Sequence, residues 1–379
     1  MRGPGRSAIG TWSGGRFLRF GEEIDEGRLE ALLLPGNGID TVLTADAYGQ
    51  GGADRMLGRA LSGVPRGDYC LIGAVGHDFY EGERDGPRGF PRFTDPRLRG
   101  EGEYADYLRM ATERSLERIG ASAFDLLLLH NPDRVGYSSE VVWDGMEALR
   151  EEGLAAKIGI APGPANGFTL DLISCLERFG ERIDWAMIIL NPFEPWPGEL
   201  CLDAAAKHDV KVLTRVVDYG GLFWGDLEAG MELPRGDHRA FRPDGWIEAG
   251  LERLERVLPI AERARLTPIQ LACQWNLAHP AVECVAPTLI QESGERACPI
   301  EAKRVELEAL PVEQRLSAED VEEIRAIGDN TGCMALKGAN PDHEGEERPD
   351  RWALSEELAE VGDRWGITPD RIAERFLAS

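Results

Sequence analysis

Apolar runs that fit buried β-strands alternate with segments that carry apolar residues at helical spacing along most of the chain. The run FDLLLLH at residues 124–130 is continuous and apolar, which is typical of a parallel strand buried on both faces. We predict strands at residues 8–12, 42–43, 69–75, 124–130, 157–161, 185–190, 210–215 and 282–286. We predict helices at residues 26–34, 56–61, 104–119, 141–150, 170–179, 200–207, 246–264 and 268–277. This alternation predicts an α/β fold, a TIM (β/α)8 barrel with long loops.

Polar segments rich in glycine and proline interrupt this alternation. Residues 77–102 and 220–243 form long connections. A loop as long as residues 77–102 in a compact domain is usually functional or mobile. Residues 329–352 contain too much glycine and proline for a helix and too many polar side chains for a simple linker. We therefore expect a barrel at residues 1–328 and a C-terminal extension at residues 329–379.

The charge balance narrows the classes of partner. Lys and Arg number 42 against 67 Asp and Glu, which gives a net charge of −25 that repels nucleic acid and anionic membranes. No apolar run reaches the roughly 20 residues that span a bilayer, and the first residues lack the apolar core of a signal peptide. We expect a cytoplasmic protein with a small-molecule substrate, and a homo-oligomer stays open. The seven cysteines are scattered, which predicts buried thiols without disulfides or zinc.

Several motifs resemble those of the aldo-keto reductases over residues 10–328. These are TADAYGQGGADRMLGRAL at residues 44–61, SLER at 115–118, FDLLLLHNPD at 124–133, and LTPIQLACQW with HPAV near residues 266–282. The resemblance implies the (β/α)8 barrel and a C-terminal tail on or near its mouth, where Lys337 or His343 would reach the site. A doubly wound dinucleotide-binding fold is the alternative, but no GxGxxG motif follows a predicted strand.

The family's catalytic tetrad is half present. In that family a lysine lowers the pKa of a tyrosine that protonates the substrate carbonyl, an aspartate holds the lysine, and a histidine completes the site. Tyr48 and His130 match two members, while Leu43 and Ala74 stand at the aspartate and lysine positions. The joint loss is coherent, because either charge alone would be buried without a partner. Asp46 is the obvious substitute for the aspartate, but it lies two residues nearer Tyr48 than the aspartate position does and should project differently.

The positions that the resemblance assigns to a nicotinamide cofactor are also altered. Ala161-Pro162 and Met187 stand where the family has the polar ligands of the carboxamide. Thr288 and Gln291 fall in the phosphate-binding loop, and Arg215, with Lys303 and Arg304, is the available source of positive charge. We expect NADP to bind weakly or not at all, so the cofactor is none or unknown.

Other polar residues follow the predicted strands and crowd the expected barrel mouth. His77 and Asp218 are further catalytic candidates, although His77-Asp78 would equally anchor a loop and Asp218-Tyr219 would equally form a turn. The candidates for substrate binding are Trp12, Asp78, Asn131, Asn191, Glu194, Trp196 and Tyr219, where residues 194–196 also suit a packed loop. A metal held by His77, His130 and Asp218 is disfavoured because no local ligand spacing supports it.

Three functions remain open. The first is a non-redox enzyme in which Tyr48 and His130 move protons on a carbonyl or polyhydroxylated, sugar-like compound, by isomerisation, enolisation or elimination. The second is an NADP-dependent oxidoreductase with a remodelled site. The third is an inactive binding or regulatory subunit, which predicts an apolar mouth. Polar residues at the mouth favour an enzyme. For Tyr48 we expect a pKa near or above 10, and for His130 proton exchange near neutral pH.

Overall fold

A computed structural model of the chain describes residues 2–86, 89–163, 167–295, 297–332 and 337–368. The barrel strands are β1 (Ala8–Gly10), β2 (Thr41–Leu43), β3 (Cys70–Val75), β4 (Leu126–His130), β5 (Ile158–Ala161), β6 (Trp185–Ile189), β7 (Lys211–Arg215) and β8 (Val282–Ala286). Each strand pairs in parallel with the next one along the chain. A parallel bridge between Ser7 and Val285 closes β8 onto β1. The predicted (β/α)8 barrel is confirmed.

Helices surround the barrel. They are α1 (Glu26–Leu33), α2 (Gly52–Ala60), α3 (Tyr104–Ile119), α4 (Arg134–Ser138), α5 (Glu140–Glu151), α6 (Thr169–Phe179), α7 (Leu202–Lys207), α8 (Trp246–Ala264), α9 (Pro268–Leu277), α10 (Ile300–Glu308), α11 (Ala318–Ile327) and α12 (Glu356–Trp365). Helix α9 begins with a capping box in which Thr267 and Gln270 bond each other's backbone N–H groups, and Pro268 occupies the first turn. Within the described ranges, no helix has the length and apolar character needed to cross a membrane.

Two apolar clusters divide the core. The larger lies between the barrel and its helices, and the smaller fills the barrel interior. Leu43, Ala74 and Met187 belong to the interior cluster, and the Tyr48 ring packs against it. The carboxyl ends of the parallel strands lie directly above this cluster, so their loops meet at one mouth.

The C-terminal extension packs beside α6. Its strands β9 (Gly338–Asn340) and β10 (Arg351–Ala353) form a parallel pair, and α12 contacts α6. Gly338 approaches the Asp171 carboxylate so closely that an added Cβ would lie 2.4 Å from Oδ2, and its φ of +70° also favours glycine. Lys337 faces Asp350 at 3.7 Å, and the half-buried His343 bonds the Glu346 carbonyl, so neither of these contacts involves the Tyr48 site.

Candidate active site

Tyr48 and His130 meet at the mouth of the barrel. Tyr48 lies in the turn between β2 and α2, where its N–H donates to the Ala45 carbonyl at 3.0 Å. His130 ends β4 and pairs with Ala161 of β5. The two rings make an edge contact with centroids 5.8 Å apart and an interplanar angle of 87°. The structure therefore brings together the two residues that the sequence selected first.

His77 and Asn131 extend this pair along the mouth. The His77 ring lies 5.0 Å from the His130 ring, and His77 Nε2 is 3.0 Å from the side-chain amide of Asn131. Asn131 adopts a φ of +48°, which asparagine tolerates better than most residues, and this turn follows β4 directly. The resulting cluster is polar, and it contains no carboxylate among these four side chains.

Two arginines border the cluster. Arg215, at the end of β7, donates from Nη2 to the carbonyls of Pro162 at 3.2 Å and Gly163 at 2.6 Å. Arg92, in the long loop after β3, donates to the Asn131 carbonyl and lies 3.0 Å from His77 Nδ1. Arg215 was predicted as a cofactor ligand, whereas Arg92 was missed because its loop contains several arginines that the sequence does not distinguish.

These charges set the protonation of the site. Burial, followed by Arg92 and Arg215, lowers the pKa of His130 to about 3, and its buried Nδ1 has no hydrogen-bond partner within the described part of the chain. Burial, Arg92 and His130 lower the pKa of His77 well below its usual value. Burial raises the pKa of Tyr48, and Arg215 opposes that rise. All three side chains are neutral at pH 7, which corrects the expectation that His130 exchanges protons near neutrality in the free protein.

The positions of the missing tetrad members are apolar and closed. Leu43 and Ala74 are only 1% and 5% exposed and lie within the interior cluster against which Tyr48 packs. Neighbouring hydrocarbon cannot solvate a lone charge. An aspartate at position 43 or a lysine at position 74 would therefore destabilise the fold if it stood there without the other. Arg215 is the cation that acts on Tyr48 in place of a lysine.

Asp46 does not join the Tyr48 cluster. Its buried carboxylate experiences the charges of Asp54, Arg118 and Asp78, and burial followed by Asp46 raises the pKa of Tyr80. These groups lie on α2, α3 and the loop after β3, and neither carboxylate oxygen of Asp46 has a hydrogen-bond partner among the described residues. Burial and then Asp54 raise the pKa of Asp46 well above its usual value. The catalytic role predicted for Asp46 stays a prediction.

Asp78 and Asp218 serve their own loops. Asp78 pairs with Arg99 and accepts the N–H groups of Tyr80 and Glu81 at 2.9 Å. Asp218 accepts the N–H groups of Gly221 and Thr288, both at 2.7 Å, which ties the loop after β7 to the loop after β8. Both carboxylates are fully buried. The contacts match the loop-anchoring alternative for Asp78 and the turn alternative for Asp218. The substrate-binding role of Asp78 and the catalytic role of Asp218 stay predictions.

The remaining substrate candidates pack into the rim of the barrel. Asn191 bonds Glu194, and Glu194 forms a two-pronged ion pair with Arg242 at 2.9 and 3.0 Å. The Tyr219 ring packs under the Arg242 guanidinium. The backbone of Trp196 exchanges two hydrogen bonds with the Asn330 side chain. These contacts match the packed-loop alternative for residues 194–196, and the substrate-binding roles of Asn191, Glu194, Trp196 and Tyr219 stay predictions. Trp12 belongs to the interior cluster that also contacts Tyr48.

The residues at the expected nicotinamide site do not fit that cofactor. Ala161 and Met187 lie in the apolar interior and offer no side-chain hydrogen bond to a carboxamide. The Thr288 backbone bonds Asp218 and Trp224, and Gln291 accepts from Arg28 and from the Ile300 N–H.

The cations proposed for the diphosphate have other partners. Lys303 is buried against Asp226 at 2.6 Å and donates to the Ile290 carbonyl. Arg304 donates to the carbonyls of Leu32 and Leu34. A buried ion cluster of Arg239, Asp237 and Glu292, which the sequence did not indicate, further closes the loops after β7 and β8.

No metal site is formed by the described histidines, cysteines and carboxylates, and this includes the trio His77, His130 and Asp218. Six cysteines lie in the described ranges and all are free thiols, five of them buried. The five buried thiols match the buried thiols that the sequence predicts.

Comparisons with known proteins point to one family. The sequence model of the aldo/keto reductase family matches residues 8–329. A probable voltage-gated potassium channel subunit beta of Arabidopsis thaliana is 23% identical over 307 residues, which is 75% of this chain and 85% of the relative. The D-threo-aldose 1-dehydrogenase of a Pseudomonas species is 28% identical over 156 residues, 38% of this chain and 47% of the relative.

Among solved structures, the glycerol dehydrogenase of Gluconobacter oxydans matches with a TM-score of 0.65. It is 21% identical, and the match covers 85% of this chain and 90% of that one. At this level of identity the likeness establishes the barrel fold.

Proposed function

Because the chain belongs to the aldo/keto reductase family, we propose that it is an enzyme that moves protons, without hydride transfer, on a small carbonyl or polyhydroxylated compound. The observation that carries the proposal is the Tyr48–His130 contact at the mouth, together with a nicotinamide site whose residues do not fit the cofactor. Acid–base chemistry uses the Tyr48–His130 pair and does not require a nicotinamide cofactor.

The neutral side chains suit an enolisation. Tyr48 donates a hydrogen bond to the substrate carbonyl oxygen, and Arg215 stabilises the negative charge that develops there. The bond between the α-carbon and its hydrogen breaks, and the proton goes to a neutral imidazole nitrogen of His130. The electron pair of that bond forms the carbon–carbon double bond, while the π pair of the carbonyl moves onto its oxygen. In a substrate whose α-carbon carries a hydroxyl, that hydroxyl passes its proton to the former carbonyl oxygen, and return of the His130 proton to the former carbonyl carbon completes an isomerisation that consumes no external oxidant or reductant.

Deuterium incorporation at the α-carbon tests the proposal. Sugars, keto-sugars and cyclitols are incubated with the protein in D2O and followed by NMR. Tyr48→Phe is expected to lower the exchange of an accepted substrate by about 10²-fold or more, the usual size of a lost acid–base group. Tyr69→Phe is the matched control, because Tyr69 precedes β3 at the opposite end of the barrel. Exchange that Tyr48→Phe leaves unchanged would overturn the proposal.

Two alternatives draw on the relatives. The match to a D-threo-aldose 1-dehydrogenase favours an oxidoreductase, although it spans less than half of that protein. The match to a channel subunit beta, which spans 85% of that relative, favours a binding subunit. Substrate-dependent consumption of NADPH would select the first. Absence of both exchange and reduction across the substrate screen would select the second.

A further inference from the structure

We propose that the barrel mouth binds the oxyanion of its substrate, a carboxylate or phosphate group, between the guanidinium groups of Arg92 and Arg215. This inference rests on the proposed function and names the substrate class, a small carbonyl compound that carries a negative charge.

Arg215 crosses the mouth. It stands at the end of β7, yet its Nη2 donates to the carbonyls of Pro162 and Gly163, which follow β5. Since β6 lies between these strands, the side chain must extend over the end of β6. Its Nε is buried and has no hydrogen-bond partner within the described residues. The guanidinium of Arg215 therefore keeps one N–H donor, at Nε, available to a ligand at the mouth.

Arg92 approaches the same cluster from the opposite side. Its loop follows β3, and its guanidinium bonds the Asn131 carbonyl and contacts His77. The side chain is 6% exposed, so the charge is held at the site and does not extend into solvent. Both Arg92 and Arg215 act on His130, which places their charges around one ring.

The two cations lack close negative partners. Within the described ranges, no carboxylate lies within 4.0 Å of either guanidinium. The acids that act on Arg92 are Asp133 and Asp350, and each has another partner, namely Thr94 at 2.7 Å and Lys337 at 3.7 Å. The groups that act on Arg215 are the phenols of Tyr48 and Tyr137, which are uncharged at pH 7 because burial raises the pKa of both.

An unpaired buried cation is costly, and a bound oxyanion would relieve that cost. Guanidinium groups bind carboxylates and phosphates through paired N–H donors, and the amide of Asn131 and the hydroxyl of Tyr48 add neutral polar groups to the same mouth. The overall charge of −25 repels anions at long range, so a preference for an anion must come from these local groups.

Anion binding also supplies the base that enolisation needs. The two guanidinium charges oppose protonation of His130, and an oxyanion between them would cancel much of that effect. His130 would then accept a proton more readily in the complex than in the free protein. The substrate's own charge would thus prepare the imidazole for catalysis.

Matched pairs of ligands test the inference by calorimetry. Pyruvate is compared with pyruvamide, and dihydroxyacetone phosphate with dihydroxyacetone, so that each pair differs in the charged group and the arms separate carboxylate from phosphate. We expect at least one anion to bind about tenfold or more tightly than its neutral partner, which is about 1.4 kcal/mol. If the wild-type protein binds both members of both pairs equally, the inference is wrong.

Variants then locate the preference. Arg92→Gln and Arg215→Gln should each reduce the preference for the anion over its neutral partner. Arg215→Lys should retain part of that preference because the positive charge remains. Arg97→Gln is the control, since Arg97 lies in the same loop with a side chain that is 82% exposed. A preference that survives both glutamine variants would overturn the inference. An anion preference without α-proton exchange would refute only the proposed function, and exchange without that preference would refute only the present inference.

Discussion

The indole N–H of Trp352 donates to Asp171 Oδ1 at 2.9 Å, across 181 positions of the sequence, and joins the C-terminal extension to helix α6. The other oxygen, Oδ2, accepts the Ala339 N–H at 3.1 Å. The Trp352 ring packs near Tyr137 and Phe168, which lie in the segments after β4 and β5. The described part of the extension thus contacts α6 and the segments that follow β4 and β5.

We predict that this anchor makes stability depend on pH. Burial raises the pKa of Asp171 from its ordinary value of 3.8 to about 6, so the folded protein binds a proton more tightly there than the unfolded chain does. The contribution of this proton binding at Asp171 to the free energy of unfolding is fully present below pH 3.8 and is lost as pH rises through about 6.

The variant Asp171→Asn separates the pH dependence that comes from Asp171 from the pH dependence that comes from the other acidic residues of the protein. The free energy of unfolding of the wild type relative to the variant should fall between pH 4 and 7 by up to about 3 kcal/mol. Urea denaturation at several pH values measures the difference. A difference that does not change with pH would show that Asp171 titrates alike in the folded and unfolded states.

The barrel could be predicted because its signal is local and repeated. The strand at residues 124–130 is a continuous apolar run, and α9 carries its own start signal in Thr267-Pro268. Helices α10 and α11 were missed where the family motifs end, although Ser317 and Asp320 form a capping box that the sequence displays. Helix α12 and the β9–β10 pair also lay outside the predicted elements.

The site could be predicted only in part, because side-chain partners depend on distant loops. Tyr48 and His130 were found from motifs at strand ends. Asp218 follows a strand as well, but the two N–H groups that it accepts come from Gly221 and Thr288, which no local pattern reveals. Arg92 reaches the site through the folding of a 26-residue loop, at residues 77–102, that has no periodicity.

We predict that Leu43→Asp and Ala74→Lys are each destabilising alone and partly compensate together. Each single change buries a charge in the apolar interior and should cost about 3–5 kcal/mol, whereas the double variant can form an ion pair. Urea denaturation of the four proteins in the cycle measures the coupling. Leu43→Asn is the control that adds polarity without charge. Strict additivity of the two costs would show that the side chains do not meet.

The same double variant is not expected to become an efficient carbonyl reductase. The pair would assist Tyr48 electrostatically, but Ala161 and Met187 would still offer no polar ligand to a nicotinamide. Oxidation of NADPH by the double variant with a simple aldehyde at about 1 per second or faster would contradict this expectation.

We predict that NADPH binds more weakly than micromolar, if at all. Lys303 is held by Asp226 and the Ile290 carbonyl, and Arg304 by two backbone carbonyls, so freeing either cation for a diphosphate would break buried contacts. Fluorescence titration of NADPH, with NADH in parallel, measures the affinity. A micromolar or tighter dissociation constant for either cofactor would promote the oxidoreductase alternative.

Our last prediction concerns the pH dependence of catalysis at Tyr48 and His130. Because burial, Arg92 and Arg215 hold the pKa of His130 at about 3, the imidazole is in its basic form throughout the ordinary working range. Burial places the pKa of Tyr48 above 10.0, so the phenol remains a donor over that range. For an accepted substrate, kcat/KM for α-proton exchange should therefore be nearly constant between about pH 5 and 9, since this quantity reports the free enzyme.

Circular dichroism at each pH controls for unfolding. His130→Ala should lower the exchange by about 10²-fold or more at every pH. An acidic limb with an apparent pKa near 6.5 that disappears in His130→Ala would show that the two arginines do not control this histidine.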